Sequence, residues 1–191
     1  TSAISDPGLK VTDYDLIVLH QIPSLSYDAS AILKTIMDKK IPHWFIVGNQ
    51  SNLNKLREYQ SQIVIAANGA TGNDVLAKVS NDFNLFTLNE KFVTEVPNYP
   101  PLIAPFGDFK AGANGQVLMY QKIGKLDTKY PLWSLGESSG QRQAILCAEG
   151  IWKWRMFEYL QQQSHDKVHE LINKTVQYLT LKEDKRKFRT N

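Results

Sequence analysis

Two short apolar runs with a helix between them constrain this chain more than any other feature. Leu16–Ile17–Val18–Leu19 is continuously apolar, the pattern of a strand covered on both faces of a parallel sheet. Pro23 ends it. Ala31, Ile32, Leu33, Ile36 and Met37 then recur at helical spacing, with Asp28 or Ser30 placed to cap the helix. Lys39 and Lys40 suit the negative end of its dipole, and Trp44 to Val47 reads as the second strand. Parallel strands need a crossover, and such crossovers are right-handed. The front of the chain is thereby an α/β unit. A short helix over 52–59 and the run Ile63–Val64–Ile65–Ala66 extend it to a third strand and a doubly wound front third.

Further on the pattern changes. Val79, Phe83, Leu85 and Phe86 read as a strand or hairpin arm, and 89–96 as a short helix. Pro97, Pro100, Pro101 and Pro105 mark an irregular stretch, and Gly107 to Gly115 a turn. Gln116–Ile123, Pro131–Leu135 and Arg142–Cys147 are strand-length and separated by glycine turns, so they pair antiparallel. Two helical patterns follow, 151–163 and 167–181. In the second, Val168, Leu171, Ile172, Thr175, Val176 and Leu179 form a stripe suited to covering a sheet.

The 191 residues are 42% hydrophobic, enough for one domain with a sizeable core. We place that domain at 1–181 and read 182–191 as a charged tail or linker. The net charge of +3 lies largely in that tail, so the body makes no case for nucleic acid. Cys147 stands alone, which excludes an internal disulfide and a multi-cysteine zinc site. No apolar run approaches the ~20 residues of a membrane span. No signal peptide is visible at Thr1, and an opening without Met reads as a mature or excised piece of something longer.

Candidate chemistry is sparse. Strand, sharp turn and helix at 41–56 is the setting that presents a nucleophile above an α/β sheet. The tip carries Gln50, whose amide is a poor nucleophile. Gly136–Glu137–Ser138–Ser139–Gly140 matches G-x-S-x-G literally, but it joins two strands, where glycine and serine serve a hairpin. His165 and His169 share a helix face at zinc-chelating spacing, with no third ligand in sight. His20 and His43 flank strands and read as structural. Cys147 ends an apolar strand and reads as a small buried hydrophobe. In the aromatic segment 152–159, Trp152, Met156 and Tyr159 share one helix side and Trp154 and Phe157 another. We take Trp152, Trp154 and Arg155 as a candidate partner surface.

The strand at Tyr14–Leu19, the strand into Gly48, and the run Ala144–Ile145–Leu146–Cys147–Ala148–Glu149–Gly150–Ile151–Trp152–Lys153–Trp154–Arg155 together resemble the class I glutamine amidotransferase-like superfamily. More narrowly, they resemble the amidotransferase-like domains of large bacterial membrane-anchored proteins, found in Bacteroidetes among others. The resemblance covers most of the chain. It implies a flavodoxin-like three-layer sandwich, with a mostly parallel sheet and an antiparallel extension of late strands. The superfamily's enzymes place a Cys inside G-x-C-x-G and a His-x-Glu after a late strand. Gly48–Asn49–Gln50–Ser51–Asn52 and Cys147–Ala148–Glu149 align with these, leaving Gln50 at the nucleophile position and Cys147 at the base position. Cysteine attack on glutamine needs both thiolate and base.

The resemblance therefore implies a catalytically inactive domain without a cofactor. Its degenerate crevice would be lined by Asn49, Gln50, Ser51 and Glu149 and would bind an unknown ligand or protein partner. It also implies an extracytoplasmic place, with any membrane contact made by segments outside this chain, and a first strand and helix missing ahead of Tyr14. Two alternatives are a hydrolase using Ser138 or Cys147, and a purely structural spacer.

Overall fold

The strand–helix–strand unit at the front forms as its pattern requires. The computed structural model describes residues 2–3 and 10–181, with backbone alone at 2–3 and 67–71. The short β1 (Ser2–Ala3) pairs with β3 (Tyr27–Asp28). Between them in sequence lies β2 (Ile17–His20), and α1 (Ser30–Asp38) follows. The Asp28 carboxylate accepts from the Ser30 N–H at 3.0 Å and the Ser30 hydroxyl at 2.6 Å, closing the helix start. Strand β4 (His43–Ile46) then runs parallel to β2. The short α2 (Leu53–Leu56) is capped by Asn52, whose side chain accepts from the Lys55 N–H.

From here the chain departs from a doubly wound path. Ile63–Ala66 is not a third parallel strand. It opens the long β5 (Ile63–Val79), which pairs antiparallel with later strands throughout, with a shift of register between Ala67 and Gly72. Its burial alternates, with Ile63 and Ile65 covered and Val64 exposed, as suits an antiparallel strand with one solvated face. Residues 80–88 form no strand, and α3 (Glu90–Glu95) follows, capped by Asn89. The proline-rich stretch yields β6 (Leu102–Ala111) at the sheet edge, where Pro105 withholds no needed N–H. Gly107 belongs to β6, so the turn expected at 107–115 is confined to 112–115. Strands β7 (Gln116–Ile123), β8 (Leu126–Ser138) and β9 (Gln141–Leu146) meander antiparallel as their spacing predicts.

The seven-stranded sheet has the order β2-β4-β9-β8-β7-β5-β6. Its parallel part is β2, β4 and β9, and the antiparallel extension carries the rest. Strand β2 lies at the edge and Val18 is 50% exposed, so the run 16–19 is not covered on both faces as expected.

Alternating side chains build two cores, making three layers. On one face Trp44, Ala144, Leu146 and Trp133 meet α4 (Trp152–Gln162) and α5 (Asp166–Thr180), through Trp154, Val168, Leu171 and Leu179. Trp44 and Trp133 stack with centroids 5.1 Å apart. On the other face Leu19, Phe45, Ile145 and Cys147 meet Leu33 and Ile36 of α1 and Leu56 of α2. The α/β sandwich expected of the chain is thus present. The tail 182–191 lies outside the described residues.

Candidate functional site

In a sheet of this kind the loops leaving the C-terminal ends of parallel strands converge on one edge. Here β2 leads into Gln21, β4 into Gly48–Ser51, and β9 into Glu149. Gln21 has a left-handed backbone, φ +54°, and its N–H donates to Ile46 O at 2.7 Å. Its carboxamide bridges the other two loops. Oε1 accepts from the Gln50 N–H at 2.7 Å, and Nε2 donates to Glu149 Oε2 at 2.9 Å. Glu149 is itself fixed by paired backbone hydrogen bonds with Ile103, at 3.0 and 2.9 Å.

Gly48 makes this convergence possible. A Cβ there would stand 2.5 Å from Glu149 Oε2 and 2.7 Å from Gln21 Cδ. The buried Ser51 is spent on the turn, its hydroxyl accepting from the Gly48 N–H at 3.1 Å. Asn49 is half-buried, and its Oδ1 is covered without a partner among the described residues. The Gln50 side chain is exposed. The four residues singled out from sequence are therefore brought to one edge, with Gln21 as a fifth. Gln21 carries no motif. Only its place directly after a parallel strand's C-terminus points to it.

This arrangement offers a carboxylate, carboxamides and backbone N–H groups. It offers no thiol or activated hydroxyl. Cys147 is fully buried in the core beneath α1, and burial pushes its thiol pKa well up. Ser138 pairs with Gln141 at the opposite end of β9, roughly 20 Å along the strand. Ser139 and Gly140 both have positive φ, 53° and 75°, the two-residue turn of a tight hairpin.

The remaining candidates do not join the site. His43 sits at the start of β4 and is wholly buried, its Nδ1 3.0 Å from Ile41 O. His20 is exposed on the edge strand. His165 packs its ring on Tyr159 and places Nδ1 3.0 Å from Arg155 O. Among the described residues no three His, Cys, Asp or Glu side chains converge to hold a metal.

The aromatic helix divides as its geometry dictates. Trp152 is 59% exposed and shares a solvent face with Met156, Tyr159 and Leu160. Arg155 is also exposed. Trp154 does not belong to that surface. It is buried against Phe92 and Tyr99, and its indole N–H donates to Pro100 O at 2.9 Å. An indole completed in this way is a core anchor.

No protein-family model matches the sequence. Luciferin 4-monooxygenase of Nipponoluciola cruciata is 31% identical over 133 residues, which cover 65% of this chain and 23% of that protein. The chain thus spans about a quarter of the curated relative it matches. Among solved structures, the cytoplasmic protein STM3548 of Salmonella typhimurium shares the fold with a TM-score of 0.53 and 16% identity, over 88% of this chain and 73% of that one. A β-galactosidase from Bacillus circulans sp. alkalophilus gives a TM-score of 0.50 and 10% identity, over 89% of this chain and 23% of its own. A glutamine amidotransferase from Thermotoga maritima is similar more loosely, with a TM-score of 0.46 and 11% identity over 92% of this chain and 82% of that one.

Proposed function

We propose that this chain is a catalytically inactive glutamine amidotransferase-like domain that serves as a binding or interaction module. It works within a larger, membrane-anchored bacterial protein, on the extracytoplasmic side. The observation that carries this reading is the state of the turn after β4. The residue at the nucleophile position is Gln50, whose side chain is a carboxamide and whose backbone N–H already donates to Gln21 Oε1. The chain's one thiol is sealed in the core beneath α1 and α2. A nucleophile must be both accessible and activated.

The placement in a membrane-anchored protein rests on the sequence resemblance. No helix among the described residues is long and apolar enough to cross a membrane, so in this reading the anchor belongs to segments outside the chain. The module would present the Gln21–Gly48–Glu149 edge to a ligand, and the exposed face around Trp152 and Arg155 to a protein partner.

Brief exposure of the native protein to iodoacetamide, and separately to a fluorophosphonate, tests the reading by intact mass. The expected result is no native labelling, with Cys147 reacting only after unfolding. Rapid native labelling of Cys147 or Ser138, abolished by denaturation, overturns it in favour of a hydrolase.

A further inference from the structure

On the antiparallel extension, a cavity of about 550 Å³ lies between the tip of the β7–β8 hairpin and the outer strands β5 and β6. Ile123, Leu126 and Tyr130 line it from the hairpin, and Asn73, Phe106 and Asp108 from the outer strands. It shares no residue with the strand-end crevice. Its size falls within the ~300–1,000 Å³ of small-molecule sites. Phe106 is 51% exposed and Leu126 68% exposed, so two large apolar side chains left uncovered by the described residues meet in one hollow. Apolar side chains exposed singly need no explanation, but a convergent set around a hollow marks a surface that takes a ligand.

Asp108 is the one charged residue of the wall among the described residues. Its Oδ1 accepts from the Tyr130 hydroxyl at 2.6 Å. Its Oδ2 has no partner among the described residues, and none of their lysines or arginines pairs with it. The carboxylate is thus reachable, oriented and without a counter-charge. Tyr130 is itself held in place, its ring 6.2 Å from that of the buried Phe109. The hydrogen bond to Asp108, and then that carboxylate's charge, raise the Tyr130 phenol pKa, so the phenol stays protonated and remains the donor. The Thr128 hydroxyl is spent within the hairpin, donating to Gln121 O and accepting from the Tyr130 N–H.

A ligand seated on Phe106 and Leu126 strips water from Asp108 Oδ2. A neutral or anionic body returns nothing for that loss, whereas a protonated amine replaces the water with a charge-assisted hydrogen bond. A metal ion is a poor match, because Ca²⁺ and Mg²⁺ take about six oxygen ligands or more and the wall supplies one carboxylate. Apolar and aromatic walls also add nothing to a hydrated ion. They do add to an organic cation, whose hydrocarbon is covered by Leu126 and Ile123 and whose charge is drawn to the Phe106 and Tyr130 rings. We propose that this cavity binds a small organic amine in its protonated form, with the ammonium on Asp108 and the apolar body on Phe106, Ile123 and Leu126. The site does not depend on the inactive-domain reading, and the failure of either leaves the other standing.

Amide-resolved NMR titration of the full chain tests it, with phenethylamine, the neutral phenethyl alcohol and the anionic hydrocinnamate each taken to roughly 20 mM near neutral pH. We expect saturable shifts around Phe106, Asp108, Ile123, Leu126 and Tyr130 with the amine, binding of the alcohol weaker by about tenfold or more, and no binding of the acid. Asp108→Asn changes an exposed side chain and keeps an acceptor for Tyr130, so its free spectrum should be unaltered away from β6. Its affinity for the amine should drop about tenfold while its affinity for the alcohol stays the same. The absence of saturable shifts with the amine overturns the proposal. So does equal binding of amine and alcohol, or amine binding that survives Asp108→Asn. N-acetyl-lysine methylamide is titrated alongside, and tighter binding of this blocked lysine than of phenethylamine overturns the small-molecule site in favour of a lysine side chain from a protein partner.

Discussion

Gly136 separates two explanations of the G-x-S-x-G string at the level of single atoms. In a nucleophile turn its value would lie in exposing Ser138. In the structure Gly136 is a strand residue of β8, and a Cβ there would overlap the Asn114 backbone carbonyl oxygen in the adjacent turn. Backbone cannot swing aside as a flexible side chain can. Gly136→Ala should therefore destabilise by about 1–3 kcal/mol. Ser138→Ala, in a hairpin arm, should stay within about 0.5 kcal/mol of the parent. Urea unfolding of both variants checks the pair. A tolerated Gly136→Ala with a damaging Ser138→Ala would reverse the reading. Gly48 is a contrasting case: the atoms a Cβ would meet belong to the ends of the Glu149 and Gln21 side chains, which can move.

Between elements, the contact that matters most at the C-terminal end was the least legible. Glu158 lies in α4, is 1% exposed, and accepts from the first N–H groups of α5. Those donors have no partner within their own helix, and a carboxylate also suits the positive end of the dipole. Glu158→Gln keeps the shape but removes the charge and turns an N–H₂ toward a donor. We expect a loss of about 1–3 kcal/mol, with faster amide exchange at Lys167 and Val168 than elsewhere in α5. A loss spread evenly over the molecule, with those two amides still protected, would contradict the cap.

The α5 stripe was readable because its covering surface is a flat sheet and its period is local. So were α1, β4 and the three meander strands. The fate of 16–19 and 63–66 was not. Whether an apolar run lies inside a sheet or at its edge depends on which distant strand takes the neighbouring place, and here β9, a hundred residues on, occupies the slot beside β4. The same long-range step hid Gln21. Its role depends on Gly48 and Glu149 being folded beside it, whereas Gln50 and Glu149 were marked by motif positions. Trp154 was misplaced because helical spacing separates the two aromatic sides without telling which one meets the sheet.

At the scale of the whole molecule, β4 joins two ends with different demands. Its C-terminal end opens into the Gly48 turn and the candidate crevice. Its N-terminal end is closed by His43, buried and edge-on to Phe45 with ring centroids 4.9 Å apart. Gln141 of β9 locks the same corner, its amide donating to Ile36 O at 3.1 Å and Ile41 O at 2.8 Å. Burial lowers the His43 pKa from 6.5 to about 4, against a smaller opposing contribution from the Ile41 carbonyl.

The unfolded chain therefore takes up the His43 proton first as pH falls. The neutral imidazole contributes its full stability above about pH 6.5. That contribution drains away between about 6.5 and 4, by roughly 3 kcal/mol in all, and does not change further below the folded value. Urea midpoints measured from pH 7 to pH 4 should fall accordingly. Carboxylates titrate at the lower end of this range in every variant, so the informative quantity is the difference from His43→Gln, whose stability should be flatter over the upper half of the range whatever its absolute level. Parallel curves for the two proteins would mean that His43 is protonated inside the fold, and that the corner beneath β4 holds a charge rather than a neutral ring.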